Sequence, residues 1–322
     1  MLYPLKFKAH FKERIWGGDT LRRVMGKNLP DGQPIGESWE ISGVEGDISE
    51  VANGCLQGDN LQKLIDLYRG NLVGEHVFEK YGRTFPILIK LIDAQDVLSI
   101  QVHPDDKLAG ERHNSYGKTE MWYVIDAQPG ACIYLGFNRE VTRKTYLEAV
   151  ENKTLASLLN KIEVKSGDAY FVPAGVIHAL GKGLLIAEIQ QTSDITYRVY
   201  DWDRLDPSGA PRPLHTDLAV DAIDFGPPQE YNVTASPRPN TPVPVTSSPY
   251  FTVNLIEIDG RLERDYSKFD SFVIYMCLSG EFEVHGAECT EKLHLGESLL
   301  VPAENKEIVL TGSGKIFEVF IP

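Results

Sequence analysis

The sequence predicts a mainly β protein with a few short helices, built from two related modules. Most of the chain consists of short runs of β-branched and aromatic residues separated by Gly, Pro and Asp, a pattern typical of strands and turns. Only Asn60–Tyr81 and Thr142–Leu159 space their apolar residues as helices do. A ten-residue pattern also occurs twice, which indicates a repeated module.

The runs predict the strands of a barrel or sandwich in each part of the chain. The first set is Phe85–Ile92, Val97–His103, Met121–Asp126, Ala131–Phe137, Ala169–Val172 and Leu184–Gln190. The second set is Phe251–Ile258, Ser271–Leu278, Glu281–His285, Ser298–Val301, Glu307–Leu310 and Ile316–Ile321. No helical pattern interrupts the second set, so we expect that part to be all-β.

The two parts are joined by a proline-rich segment. Gly226–Pro249 contains seven prolines in 24 residues. Proline removes backbone donors and blocks helix, so the segment is a connector or an extended edge segment. We therefore predict a domain boundary here, with a first domain at residues 1–235 and a second at residues 236–322.

The repeat pairs Lys165–Ala174 with His294–Ala303. Both copies have a Gly, an acidic residue, three further residues and then Val-Pro-Ala. This order predicts a turn, a buried strand and a second turn, with the proline where the strand ends. One module therefore occurs in both parts of the chain.

Composition excludes several classes of function. The 322 residues include 46 acidic and 32 basic side chains, a net charge of −14, without a basic stretch for nucleic acid. No run approaches the ~18 apolar residues of a membrane span. The four cysteines lack CxxC spacing, as expected for free thiols in a reducing cytoplasm. We expect a cytoplasmic protein that binds neither nucleic acid nor membrane.

One predicted strand carries a polar face. Alternation along Val97–His103 places Ser99, Gln101 and His103 on the same side. That face is either exposed to solvent or part of a site. Glu120 opens the next strand, and His178 follows the Val-Pro-Ala-Gly turn of the first repeat copy. Two imidazoles, a carboxylate and an amide oxygen suit a divalent ion such as zinc and leave a position for substrate.

Four motifs in order carry a resemblance to a known family. They are Gln101–Asp106, Lys118–Met121, Val172–His178 and Ser193–Arg198. Together they resemble the type I mannose-6-phosphate isomerases, in particular the short bacterial forms. The resemblance begins near Trp16-Gly17-Gly18 and is firmest over residues 85–202. It implies a double cupin fold, which is two jelly-roll-like β-barrels, and the internal repeat agrees with this.

The resemblance also implies a set of site residues. The family's metal ligands correspond to Gln101, His103, Glu120 and His178, with one Zn²⁺ per chain. Its catalytic arginine corresponds to Arg198. In the second repeat copy, Glu307 stands where the first has His178, so we expect a degenerate cupin domain without metal.

Lys90 lies in an apolar run that otherwise predicts a buried strand. A lone strand lysine is commonly a solvent-facing edge residue or a snorkelling one. The alternative is a contact to phosphate, which suits a compact ammonium charge. The resemblance places Lys90 and Ser99 among the substrate-binding positions, and we favour the phosphate contact.

Two further residues are candidates for proton transfer. Lys118 lies two residues before Glu120 and projects to the same side of an extended chain. Asp194 precedes Arg198 and is expected to orient it or to transfer a proton. Longer family members have His-Lys-Pro-Glu where this chain has Gly117-Lys118-Thr119-Glu120, so no role of their histidine transfers. His113 is a substitute for it or a solvated loop residue, and the sequence does not identify the base.

The resemblance implies a zinc-dependent isomerase that interconverts mannose 6-phosphate and fructose 6-phosphate through an enediol. The alternatives are a non-catalytic sugar-phosphate-binding cupin and an isomerase of another sugar phosphate. An iron-dependent cupin oxidase usually has at least three histidine ligands, and only two fit here. Oligomeric state has no residue-level signature.

Overall fold

A computed structural model describes residues 2–206, 208–287 and 289–322. The protein is mainly β with short helices, as predicted. The strands are β1 (Leu5–Lys6), β2 (His10–Gly18), β3 (Ile35–Ile41), β4 (Ile87–Ala94), β5 (Ile100–Val102), β6 (Glu120–Ala127), β7 (Cys132–Phe137), β8 (Leu159–Glu163), β9 (Ala169–Val172), β10 (His178–Leu180), β11 (Leu184–Gln191), β12 (Tyr197–Tyr200), β13 (Val243–Ser247), β14 (Thr252–Asp265), β15 (Val273–His285), β16 (Thr290–His294), β17 (Ser298–Val301) and β18 (Glu307–Phe320). The helices are α1 (Thr20–Met25), α2 (Leu61–Tyr68), α3 (Gly70–Val73), α4 (Glu75–Tyr81), α5 (Asp106–His113), α6 (Arg143–Glu151) and α7 (Thr216–Ala222).

The strands form three sheets. One has the order β2-β3-β4-β11-β6-β9 and another the order β12-β5-β10-β7-β8. The third has the order β1-β17-β15-β18-β14-β13, with β16 also paired to β15. Long-range antiparallel pairing between strands far apart in sequence is the arrangement expected of jelly-roll barrels.

The chain divides into two compact units. One comprises residues 2–10, 39–90 and 234–322, and the other comprises residues 11–38 and 91–233. Residues 2–10 and 39–90 are therefore grouped with the C-terminal segment, an association that spans more than 140 residues of sequence. The division into domains at 1–235 and 236–322 stays a prediction.

In the unit that contains residues 91–233, strand β5 has a packed layer on each side. Ile100 and Val102 are buried in a cluster with Tyr146 of α6 and Val220 of α7. Ser99 and His103, which point the other way, are also buried. Two of the three residues on this polar face are therefore buried and Gln101 is half-buried, which favours a site over a solvent-facing surface.

In the other unit, four of the predicted strands are joined into two longer ones. The single strand β15, which begins at Val273, takes up the predicted strands Ser271–Leu278 and Glu281–His285. The single strand β18, which ends at Phe320, takes up Glu307–Leu310 and Ile316–Ile321. Gly280 lies opposite Gly314 across this pair, and both have positive φ. A Cβ at Gly280 would lie 1.9 Å from the Ser313 carbonyl oxygen. The glycines therefore let two long strands approach each other closely at this point instead of ending there.

The helical segments also differ in detail. Asn60–Tyr81 forms α2, α3 and α4, broken at Arg69 and Gly74, which have positive φ. Thr142–Leu159 forms α6 and a 3₁₀ turn at Leu155–Leu158. The second half of the proline-rich segment forms β13, an edge strand paired with β14, in line with an extended edge segment. Among the described residues, no helix has the length and apolar character needed to cross a membrane.

Candidate metal and active site

A row of polar residues crosses three strands of one sheet. Gln101 of β5 lies opposite His178 of β10 on one side and opposite Arg198 of β12 on the other. Residues directly opposite in antiparallel strands project to the same face. His103, two residues beyond Gln101, extends the same face. The sheet therefore aligns Arg198 with three of the four predicted metal ligands.

Glu120 comes to these residues from a different sheet. It opens β6, where Gln190 of β11 and Val172 of β9 are its neighbours. Its Oε1 lies 3.2 Å from His103 Nε2, and its Oε2 lies 3.8 Å from His178 Nε2. All three side chains are 1% exposed, and their ligand atoms lie within 4.8 Å of one another. The fold thus brings His103 close to His178, more than 70 positions further along the chain.

Backbone carbonyls orient both imidazoles. Nδ1 of His103 lies 2.8 Å from the Ile195 carbonyl oxygen, and Nδ1 of His178 lies 2.9 Å from that of Val176. Each Nδ1 therefore carries the proton and donates it, which leaves the Nε2 lone pair directed at Glu120. This tautomer is the one that metal-binding histidines use, with the other ring nitrogen donating to a fixed acceptor.

The electrostatics keep the imidazoles neutral and the carboxylate charged. Burial, together with the Lys118 ammonium, lowers the pKa of His103 to about 3. Burial also lowers the pKa of His178. Burial by itself would raise the pKa of Glu120, but Lys118 Nζ lies 3.0 Å from Oε1 and holds that pKa well below its usual range. Neutral imidazole and ionised carboxylate are the forms that bind metal.

The cluster fits a divalent cation. Neither carboxylate oxygen of Glu120 accepts a hydrogen bond, although both are buried. The Lys118 ammonium, 3.0 Å from Oε1, offsets part of the buried charge, and a divalent cation between Glu120 and the two imidazoles would offset the rest. Gln101 lies beside the cluster, with its amide nitrogen 3.3 Å from His178 Nε2 and its Oε1 3.5 Å from the Ser99 hydroxyl that donates to it. Two imidazoles with oxygen ligands form a donor set that zinc accepts.

Residues that the sequence did not single out hold the segment before Glu120. The Asp106 carboxylate accepts hydrogen bonds from the Gly117 backbone N–H at 2.8 Å and from the Gln191 amide at 2.9 Å. Gln191 Oε1 in turn accepts one from the Thr119 backbone N–H at 2.9 Å. Gly117 has backbone atoms of Asp105 and Asp106 where a side chain would stand. Position 117 thus supplies a backbone donor here and has no space for the histidine of longer family members.

Arg198 is half-buried and held from two sides. Its Nη1 donates to the Pro213 carbonyl oxygen at 2.9 Å, and its backbone N–H donates to Nδ1 of His215 at 3.1 Å. Its Nε is buried without a hydrogen-bond partner. Burial and then the nearby Arg212 lower the pKa of Arg198. A fixed guanidinium with a free donor is suited to bind developing negative charge.

The other predicted residues fall in different environments. Lys118 lies inside the cluster, with Nζ 3.3 Å from His103 Nε2. Lys90 belongs to the other unit, is 6% exposed and lies 5.7 Å from the centre of the Trp39 ring, so it is not a solvent-facing edge residue. Asp194 is exposed in the loop between β11 and β12. His113 ends α5, and its Nε2 lies 2.7 Å from the Tyr197 hydroxyl.

Comparison with known proteins agrees with this site and fold. Residues 4–129 match the family model of the type I phosphomannose isomerase catalytic domain, and residues 243–321 match that of the mannose-6-phosphate isomerase cupin domain. The mannose-6-phosphate isomerase of Streptococcus mutans is 36% identical over 305 residues, which cover 94% of this chain and 93% of that protein.

A relative of known structure extends the similarity to three dimensions. A crystal structure of the mannose 6-phosphate isomerase from Bacillus subtilis has a TM-score of 0.88 and 35% identity to this chain, and the match covers 99% of both chains. Sequence and structure therefore agree along nearly the full length. The chain belongs to the mannose-6-phosphate isomerase family, as the four ordered motifs implied.

Proposed function

We propose that the protein is a zinc-dependent aldose–ketose isomerase that interconverts mannose 6-phosphate and fructose 6-phosphate through an enediol. The observation that carries the proposal is the buried cluster of His103, Glu120 and His178, with Gln101 and Arg198 in register on the same sheet face. Membership of the mannose-6-phosphate isomerase family supports the choice of substrate.

The reaction moves a proton between C2 and C1 of the sugar. It therefore needs a proton carrier, a group that stabilises the developing oxyanion, and an anchor for the phosphate. Gln101, His103, Glu120 and His178 would hold the zinc ion, with one ion per chain. When bound, zinc supplies Lewis acidity toward the sugar oxygens.

Arg198 and Lys118 would stabilise the developing oxyanion and transfer the proton. The free Nε of Arg198 would stabilise negative charge on the enediolate. Lys118 Nζ, within 3.3 Å of two ligand side chains, would take part in proton transfer. Asp194, which is exposed, would orient Arg198 or take part in proton transfer. The base itself is not assigned.

Lys90 and Ser99 would anchor the phosphate group. Ser99 is buried beside Gln101, and Lys90 carries a buried positive charge on an apolar strand. Binding the phosphate away from the reacting carbons uses remote contacts to position the sugar. We also propose a cytoplasmic location, because the four cysteines are free thiols.

A coupled assay tests the proposal. Fructose 6-phosphate formation from mannose 6-phosphate is measured before chelation, after chelation, and after zinc is restored. We expect activity that disappears with the chelator and returns with zinc. No activity in protein shown to hold zinc would contradict the proposal and favour a binding-only cupin or an isomerase of another sugar phosphate.

A further inference from the structure

A buried ion pair between Asp201 and Arg212 lies near Arg198 and outside the ligand cluster. Asp201 is 5% exposed and accepts from Arg212 through both carboxylate oxygens, with Nε 2.7 Å from Oδ2. Arg204 Nη2 also donates to Asp201 Oδ1 at 2.6 Å. Two parallel hydrogen bonds between a planar guanidinium and a carboxylate fix the relative orientation of the two groups as well as their distance. The Asp201–Arg212 pair therefore fixes the position of the chain at residue 212.

The residues that follow Arg212 contact Arg198 directly. The Pro213 carbonyl oxygen accepts from the Arg198 guanidinium at 2.9 Å. The His215 backbone N–H donates to the Arg198 carbonyl oxygen at 2.7 Å, while His215 Nδ1 accepts from the Arg198 backbone N–H at 3.1 Å. Residues 213–215 thus hold both the backbone and the side chain of Arg198.

The turn that carries Asp201 is strained and attached to the strand that bears Gln101. Trp202 and Asp203 have φ values of 56° and 55°, in the left-handed region that residues other than glycine rarely adopt. The Trp202 indole N–H donates to the Leu98 carbonyl oxygen at 2.7 Å, just ahead of β5. Such strain persists only where the surroundings hold the chain in place. Asp201 is therefore fixed relative to β5.

We infer that Asp201 and Arg212 are positioning residues for Arg198: their ion pair places the Pro213 carbonyl oxygen where it fixes the Arg198 guanidinium over the sheet face that carries Gln101 and His178. This inference rests on the proposed function, in which Arg198 stabilises charge on the substrate. Arginine has a long flexible side chain, so the acceptor at Pro213 determines where the guanidinium stands. Among residues 2–206, 208–287 and 289–322, neither member of the ion pair forms a hydrogen bond to a candidate ligand.

The first test compares Arg212→Ala and Asp201→Asn with the unchanged enzyme loaded with zinc. We expect kcat to fall roughly 10- to 100-fold, because misplacement of a catalytic group by about 1 Å has an effect of this size. Zinc content and the KM for mannose 6-phosphate should stay within about two-fold, since no ligand or ground-state contact is removed. Wild-type kcat in both variants would overturn the inference.

A matched control is available in the other unit. Arg83 binds Asp66 with the same two-pronged geometry, with Nε–Oδ1 at 2.6 Å, but on the exposed surface. Arg83→Ala should leave kcat, KM and zinc content unchanged. Arg212→Lys keeps the positive charge but cannot form two parallel hydrogen bonds to Asp201, so we expect a partial loss of turnover. If Arg212→Ala does not fold, Arg212→Lys replaces it in the test.

A double variant separates positioning from a general structural role. If Arg212 acts through Arg198, adding Arg212→Ala to Arg198→Ala should cause no further loss of turnover. A second full loss in that background would overturn the inference. Wild-type turnover in Arg198→Ala alone would instead refute the role of Arg198 in the proposed function, so the two failures are distinguishable.

Discussion

His103 and Arg198 lie on one sheet face but contribute different chemistry, so single substitutions separate them. His103→Ala removes a proposed ligand nitrogen, and we expect zinc and turnover to be lost together. Arg198→Ala removes a charge-stabilising group, and we expect full zinc with turnover lower by about 10²–10³-fold. Metal analysis and the coupled assay on the same samples check both. Full zinc in an active His103→Ala protein would defeat the ligand assignment.

The cysteines differ in their expected reactivity. Burial raises the pKa of the Cys277 thiol to about 12, so almost none of it is thiolate at pH 8. Cys55 is exposed. Because the thiolate is the nucleophile, a thiol reagent should modify Cys55 in the native protein and Cys277 only after unfolding. Peptide mapping after labelling at pH 8 checks this, and rapid labelling of native Cys277 would contradict it.

At the scale of elements, the segment between α5 and β6 places Lys118, and Glu120 at the start of β6, in the candidate site. A Cβ at Gly117 would lie 2.6 Å from the Asp106 backbone nitrogen and 2.7 Å from the Asp105 carbonyl carbon. Gly117→Ala must therefore displace the segment, and we expect weaker zinc binding and a turnover lower by roughly 10-fold or more. Zinc titration and the coupled assay measure these effects.

Gly110 in α5 provides the control for that substitution. It is exposed, and its added Cβ would meet only the Ser115 carbonyl oxygen, at 3.9 Å. Gly110→Ala should keep full activity and raise the free energy of unfolding by about 0.5–1 kcal/mol, because alanine is the better helix former. Equal losses of activity in both variants would show that the segment at Gly117 has no special role.

At the scale of the whole molecule, paired carboxylates predict a loss of stability in acid. Burial would raise the pKa of Asp201, but Arg212 and Arg204 lower it below its ordinary value of 3.8. Burial would likewise raise the pKa of Glu297, but Lys6 lowers it below 4.5. A carboxylate with a lowered folded-state pKa stabilises the fold above its unfolded pKa and loses that contribution as pH falls through the folded value.

We therefore expect the free energy of unfolding to decline from about pH 4.5 downward. Urea unfolding at a series of pH values measures the decline. Asp201→Asn should be less stable near pH 7 and should show a shallower decline in acid. An unchanged slope in that variant would mean that Asp201 contributes nothing to the acid sensitivity.

Local sequence patterns predicted a large part of the fold. The strand Ala169–Val172 has the bounds that its residues indicated, and Leu184–Gln190 is one residue short of β11. Period-two alternation and proline positions are local signals, so they predict a strand even when its partner strand is unknown. The helix α5 was missed, because residues 106–113 have no apolar stripe and begin at the Asp105 cap, which looks like a turn.

The mainly β class, the repeat, and the shared face of Ser99, Gln101 and His103 follow from the order of residues along the chain, because each is a pattern within a short segment or a match between two such segments. Only the tertiary structure decided that β5 lies between β10 and β12 in the register that aligns Arg198, Gln101 and His178. It is also the tertiary structure that pairs Gly280 with Gly314 and Asp201 with Arg212. Strand pairing, close backbone approach and buried ion pairs depend on residues distant in sequence, and no local pattern encodes which of them meet.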